Sequence, residues 1–208
     1  MKIALIGATG YVGSKILNEA LARGHQVTAI FRHNKDALPQ KPSITVAQLD
    51  ATNEAALANA LNGHDLVISA YNPGLDADGT GTRAIVDAVK RAGIDRLLVV
   101  GGAGSLKLPS GELVIDQPDF PPEWKEGALR TAEFLDQLRK EAELDWVFIS
   151  PAALLIPQER TGRYRVGKDQ LLVDASGESR ISLEDYAVAM LDEVERPQHH
   201  RERFSVAY

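Results

Sequence analysis

MKIALIGATGYVGSKILNEAL, residues 1–21, places glycines at 7, 10 and 13 on the seam between an apolar run and a helical pattern. Glycine forms helices and strands poorly, so three at this spacing mark a turn or an approach that side chains would obstruct. Residues 3–6 are apolar throughout, as in a strand buried on both faces. Over residues 11–22, Val12, Ile16, Leu17, Ala20 and Leu21 form a helical stripe that Gly24 ends. Gly7 would then permit the tight turn, Gly10 a close backbone approach to a ligand, and Gly13 close packing of helix on sheet. N–H groups at a helix start, with its partial positive charge, suit a pyrophosphate. Gly7, Ala8, Thr9, Gly10, Tyr11, Val12 and Gly13 are therefore expected to cradle a dinucleotide cofactor. The competing reading is a glycine turn needed only for packing.

Working outward, residues 27–31, 44–49, 66–69, 96–100 and 146–149 read as strands, and residues 54–61, 80–92 and 123–142 as helices. Six strands alternating with helices imply βαβ units and an α/β fold of Rossmann type, a doubly wound parallel sheet flanked by helices. After Pro151 the rhythm changes. Residues 164–166 and 171–173 read as short extended pieces, Ser182-Leu183-Glu184-Asp185 opens a helix, and residues 204–207 form a last short strand. One domain is expected over residues 1–208, with 151–208 supplying a small α+β lobe on the substrate side.

Composition narrows the function. A hydrophobic fraction of 44% with 25% charged residues is that of an ordinary globular protein. A formal net charge of −6 argues against nucleic acid or an anionic membrane as partner. No cysteine is present, which excludes disulfide and thiolate chemistry. The opening apolar run is too short for a signal peptide, and no window approaches a membrane span, so a cytoplasmic protein is expected. His199-His200 lacks accompanying ligands; a solvated turn is expected there, with no metal.

The G-A-T-G-x-x-G form of residues 7–13 resembles the short-chain dehydrogenase/reductase superfamily in its extended and atypical branches. Gly-Gly-Ala-Gly-Ser at 101–105, Ile149-Ser150-Pro151-Ala152 and the segment from Arg180 to Ala187 fit the same pattern. The nearest likeness is to NmrA-like and flavin-reductase or biliverdin-reductase-B-like proteins, and it covers essentially the whole chain. The resemblance implies that Asp50-Ala51 lies near the adenine and Ser69-Ala70-Tyr71 near the ribose and pyrophosphate. It also puts Ser150, Pro151 and Ala152 by the nicotinamide. Asp50 reads equally as a helix cap, and Tyr71 as a cover for the sheet edge.

Which dinucleotide binds is read from the second strand. An acid at its end would accept the ribose hydroxyls of NAD, but residues 20–35 contain no Asp or Glu. Arg32 stands there instead, with His33 and Lys35 close behind, so NADP(H) is preferred over NAD(H). The alternative is a solvated basic loop.

Most reductases of the superfamily carry Tyr-x-x-x-Lys on the helix after the fifth strand, where Lys lowers the phenol pKa. That helix has no tyrosine here. Tyr164 and Lys168 match the spacing in an extended, Gly-bearing stretch, where they would not share a face. One reading is a reductase passing hydride to a flavin- or quinone-like small molecule that needs little acid catalysis. Ser105 is then its candidate catalytic side chain, unless it merely caps the loop, and Phe120 and Trp124 are flat faces for a ring or, equally, residues that pack their loop onto the domain. A second is an NmrA-like redox sensor that binds the dinucleotide and regulates a protein partner. A third is a sugar-nucleotide epimerase or dehydratase, which would need the Tyr/Lys pair and a larger substrate domain.

Overall fold

The computed structural model describes residues 1–208 apart from the side chain of Lys35. In chain order the first half runs β1 (Lys2–Ile6), α1 (Gly13–Ala22), β2 (Gln26–Phe31), β3 (Ile44–Gln48), α2 (Glu54–Leu61), β4 (Leu66–Ser69) and α3 (Thr80–Arg91). Then come β5 (Arg96–Val100), α4 (Pro122–Arg139), β6 (Asp145–Ser150), β7 (Leu154–Ile156), β8 (Arg165–Gly167), β9 (Arg180–Ser182), α5 (Leu183–Glu195) and β10 (Glu202–Ala207). Short 3-10 turns occupy Lys35–Ala37, Pro73–Leu75 and Val114–Asp116.

The main sheet is ordered β3-β2-β1-β4-β5-β6-β10-β8, with every pair parallel except β10 and β8. Beta-strand alternation sends successive side chains into both helical layers, which explains why β1, β4, β5 and β6 are apolar through their middles and polar only at their ends. Ile3, Leu5, Val147 and Ile149 face one layer, built by α1 and α5. Ala4, Ile6, Trp146 and Phe148 face the other, built by α2, α3 and α4. On α1, fully buried Ile16 and Leu17 each contribute about 1.5–3 kcal/mol by leaving water. The fully buried Tyr186 of α5 donates its hydroxyl to Ile149 O at 2.7 Å, which satisfies its one polar atom.

Several expected boundaries shift for local reasons. Helix α1 starts at Gly13, because residues 8–12 are spent on the turn. Helix α4 stops at Arg139, where the Lys140 and Glu141 N–H groups tighten onto Gln137 O and Leu138 O. Residues 171–173 form no strand; the Leu171 N–H donates to Lys107 O and pins this stretch to the β5–α4 connection. Strands β7 and β9, unforeseen in the sequence, pair as a separate ribbon, while α5 packs on α1 and β10 and β8 widen the main sheet. His199 is not a solvated turn: its Nδ1 lies 2.8 Å from Glu193 Oε2 and its ring stacks on Phe204 at 4.0 Å. His200 is exposed, with Nδ1 2.9 Å from Asp145 Oδ2.

Candidate functional site

The strand order reverses between β1 and β4, and doubly wound sheets bind ligands outside the carboxyl ends of strands at such a switch. A cleft of about 310 Å³ lies there. Among its walls are Gly7, Gly10, Arg32, Asp50, Ala70 and Tyr71.

Each glycine of the opening motif has a different constraint. Gly7 sits at φ +78°, and a Cβ there would lie 2.5 Å from Ala70 O. A Cβ on Gly13 would lie 2.1 Å from Gly7 O, so this residue lets α1 close on β1. At Gly10 a Cβ would meet one atom only, Gly7 O at 3.2 Å, and the residue lines the cleft. Helix α1 has no side-chain cap and no acid in its first turn, whereas Asn53 caps α2 and Ser182 caps α5. Among the described residues, no backbone acceptor takes the N–H of Tyr11 or Val12. Open space, unengaged donors and the positive end of a helix fit a phosphate group.

The rest of the cleft is built from strand ends. The Thr9 hydroxyl donates to His33 O at 3.0 Å, tying the glycine loop to the end of β2. Exposed Arg32 puts Nη1 3.5 Å from Asp50 Oδ2. Asp50 is no helix cap; Asn53 does that work. Its Oδ1 accepts from the Thr52 N–H at 3.0 Å and hydroxyl at 2.8 Å, and these bonds, helped by Arg32, hold its carboxyl below the usual range. Ala51 is buried beside it and lines the floor. Lys35 contributes only backbone to the described residues.

Ala8 is fully buried, Val12 packs on the core, and Tyr11 is exposed with its hydroxyl 3.5 Å from Leu155 O. Ser69 is buried, its Oγ accepting from the Tyr71 N–H at 3.4 Å. The Tyr71 ring lies over Gly81, where a Cβ would come within 2.2 Å of its hydroxyl. Burial first, then the Asp76 and Asp50 carboxylates, push this phenol up to about 12.

Ser105 and Ser150 are brought together, and the hydroxyl oxygen of each accepts from the same guanidinium. Arg203 Nη1 donates to Ser105 Oγ at 3.2 Å and to Ser150 Oγ at 3.4 Å, and Nη2 donates to Ser105 O at 3.3 Å. Asp169 holds the other side of that guanidinium. Sequence reasoning missed Arg203, since its position inside β10 reads only as strand. Pro151 and Ala152 are buried at the end of β6.

Phe120 and Trp124 line a second, largely apolar cleft of about 380 Å³ with Leu108, Val114, Leu154 and Leu171. It lies at the carboxyl ends of β5 and β6, the same sheet edge as the first cleft. Tyr164 and Lys168 line neither. Tyr164 instead donates its hydroxyl to Asp192 Oδ2 of α5 at 2.7 Å, and burial together with that carboxylate raises its pKa. Among the described residues, no group of three or more His, Cys, Asp or Glu is placed to hold a metal, and no helix is long and apolar enough to cross a membrane.

The model of the NAD(P)H-binding family matches residues 7–194, and the chain belongs to that family. Its fold is that of the atypical short-chain dehydrogenase/reductases. It is 41% identical to the uncharacterised protein YwnB of Bacillus subtilis, over 99% of this chain and 98% of that one. A structure from Bacteroides thetaiotaomicron, provisionally called an epimerase, superposes with a TM-score of 0.95 at 48% identity, over 100% of this chain and 96% of that one. One from Streptococcus pneumoniae, provisionally called an NADH-flavin reductase, does so with a TM-score of 0.86 at 35% identity, over 100% and 99%.

Proposed function

We propose that this protein is an NADPH-dependent reductase that passes a hydride directly to a flat acceptor of the flavin or quinone class. The observation that carries the reading is the juxtaposition of two clefts on one sheet edge, one beside the glycine loop and the start of α1 and an apolar one walled by Phe120 and Trp124. Gly10 and the start of α1 would hold the pyrophosphate, Arg32 the 2′-phosphate, and Asp50, Ala51, Ser69, Ala70 and Tyr71 the adenosine side. Ser150, Pro151 and Ala152 would border the nicotinamide. Residues 151–208 add Leu154 and Leu171 to the acceptor wall. When bound, NADPH supplies a hydride and is left as NADP⁺. The reduced ring takes the one proton that balances the hydride from water, so the site needs no acid.

That last point separates this reading from the epimerase one. The phenols of Tyr71, Tyr164, Tyr186 and Tyr208 are all pushed upward by burial, so none of these four is primed as a superfamily acid. Likeness to the pneumococcal protein supports the same direction. The test is NADPH oxidation by purified protein with riboflavin or a benzoquinone as acceptor. Turnover is expected, and Tyr164→Phe is expected to change it less than about tenfold, against ~10²–10⁴-fold for loss of a true acid. No turnover alongside tight NADPH binding would point instead to a dinucleotide sensor.

A further inference from the structure

The acceptor cleft carries a charge pattern that narrows its ligand. Its hydrophobic walls come from Leu108, Val114, Phe120, Trp124, Leu154 and Leu171, and its polar side chains are Gln117 and Asp119. No lining residue is a cation. The segment that builds most of the wall, residues 112–126, holds Glu112, Asp116, Asp119, Glu123 and Glu126 against Lys125 alone. Lys107 and Lys125 are exposed and flank the cleft without lining it. The nearest buried cation, Arg203, has a side chain only 3% exposed and is consumed by Asp169, Ser105 and Ser150.

The wall is also held in place. The Lys107 N–H donates to Asp169 O and the Leu171 N–H to Lys107 O, both at 2.8 Å, while Val114 and Ile115 donate to Leu106 O and Gly104 O at 3.0 Å. A fixed apolar slot whose one charged lining residue is the Asp119 carboxylate discriminates between rings of the same shape that differ in charge.

We propose that this cleft selects an uncharged flat ring over its anionic counterpart, an uncharged isoalloxazine or quinone over the same ring carrying phosphate, sulfonate or carboxylate. The proposal rests on the reductase reading and names the acceptor class for that site. An anionic substituent inside the slot finds no cation in the lining, since Lys107 and Lys125 stand outside it; it meets the Asp119 carboxylate and loses hydration in doing so.

The experiment uses matched pairs. Riboflavin and FMN share one ring system and differ by a phosphate; 1,4-naphthoquinone and its 2-sulfonate differ likewise by one anionic group. Binding to the NADP⁺-loaded protein is read by quenching of flavin fluorescence, and turnover by NADPH oxidation. At low salt riboflavin is expected to bind at least about fivefold more tightly than FMN, with the gap narrowing at ~0.5 M salt. Asp119→Lys is expected to cut the riboflavin-to-FMN ratio by about fivefold or more, mainly by improving FMN. Asp119 is exposed, and NADP⁺ binding by the variant serves as its folding control.

FMN binding as tightly as riboflavin in the parent would overturn the proposal. So would a ratio that neither salt nor Asp119→Lys moves, because the preference would then be one of size. The quinone pair separates a general exclusion of anions from a feature of flavins: equal turnover of the neutral and sulfonated quinones overturns the proposal. The two readings fail separately. A parent that oxidises NADPH equally with FMN and riboflavin sinks the charge selectivity and leaves the reductase standing. A parent that binds riboflavin over FMN yet oxidises no NADPH does the reverse.

Discussion

Replacing Gly10 by valine isolates the glycine that lines the cleft from the two that serve packing. Gly10 is not in the left-handed region, and its added Cβ would meet only Gly7 O, at 3.2 Å. That contact gives by a few tenths of an ångström, so the expected cost is under about 1 kcal/mol, or about 2–4 °C in Tm for a domain of this size. The new side chain projects where the cofactor phosphates would approach. Losing one or two charge-assisted contacts at roughly 1.5–3 kcal/mol each, with the steric block added, weakens NADPH by about 100-fold or more. Gly13→Ala is the contrast. Its Cβ would fall 2.1 Å from Gly7 O and 2.9 Å from Gly7 C, two backbone atoms that yield only if α1 moves off the sheet. Stability should drop by about 1–3 kcal/mol or more. Thermal melts and NADPH fluorescence titrations of both variants read the two effects side by side. Gly10→Val binding NADPH within about threefold of the parent would refute the phosphate assignment, and so would Gly13→Ala losing binding with an unchanged melt.

Arg32→Ala is expected to weaken NADPH by about 10- to 150-fold and NADH little, measured by parallel titrations; equal losses would make Arg32 a stacking residue only, and a parent preferring NADH would defeat the 2′-phosphate assignment. Glu19→Gln tests acid lability. Arg160 bonds to the buried Glu19 carboxylate at 2.8 and 2.9 Å, and Arg23 at 2.8 Å. The Arg160 bonds, against burial and with help from Arg23, hold this carboxyl below its ordinary 4.5. A lowered folded pKa adds stability above the unfolded value that disappears as pH falls through the folded one. Urea melts should therefore place parent above variant by about 1–3 kcal/mol near pH 7, with the gap closing as pH falls below the ordinary carboxylate range; a gap that widens in acid contradicts the pairing.

The glycine motif and the six parallel strands were legible because each rests on a local rule. Gly7, Gly10 and Gly13 fall at the strand-to-helix seam, and the strands buried on both faces carry unbroken apolar runs such as residues 3–6 and 146–149. What was hidden depends on partners far along the chain. Leu154–Ile156 and Arg180–Ser182 are three-residue strands that exist by pairing with each other. Residues 171–173 looked extended by composition, yet their backbone is claimed by Lys107. His199 resembled a solvated residue until Glu193 and Phe204 were placed against it. Ser105 was legible as a polar group at the end of β5, but its engagement by Arg203, 98 residues away, was not. Local pattern carries no record of such distant partners.

The stitching of the acceptor wall gives the two clefts unequal resistance to local opening. The glycine-loop cleft is made wholly from the first 75 residues, its loop springing from β1 in the interior of the sheet and only its Asp50 side resting on the edge strand β3. The acceptor cleft leans on Lys107, Asp169 and Leu171, and on Arg203 in a strand next to the short edge strand β8. Proteins open in cooperative units, and units near a sheet edge with few main-chain bonds open at lower free energy than the interior. Fraying of the β8–β10 border would release Asp169 from Arg203 and, with it, the tether on Ser105 and the wall behind Phe120. Amide protection should accordingly fall across residues 104–120 and 165–174 together, while β1 and β4 stay protected. The protein would then hold its dinucleotide half through excursions that dissolve and rebuild the other.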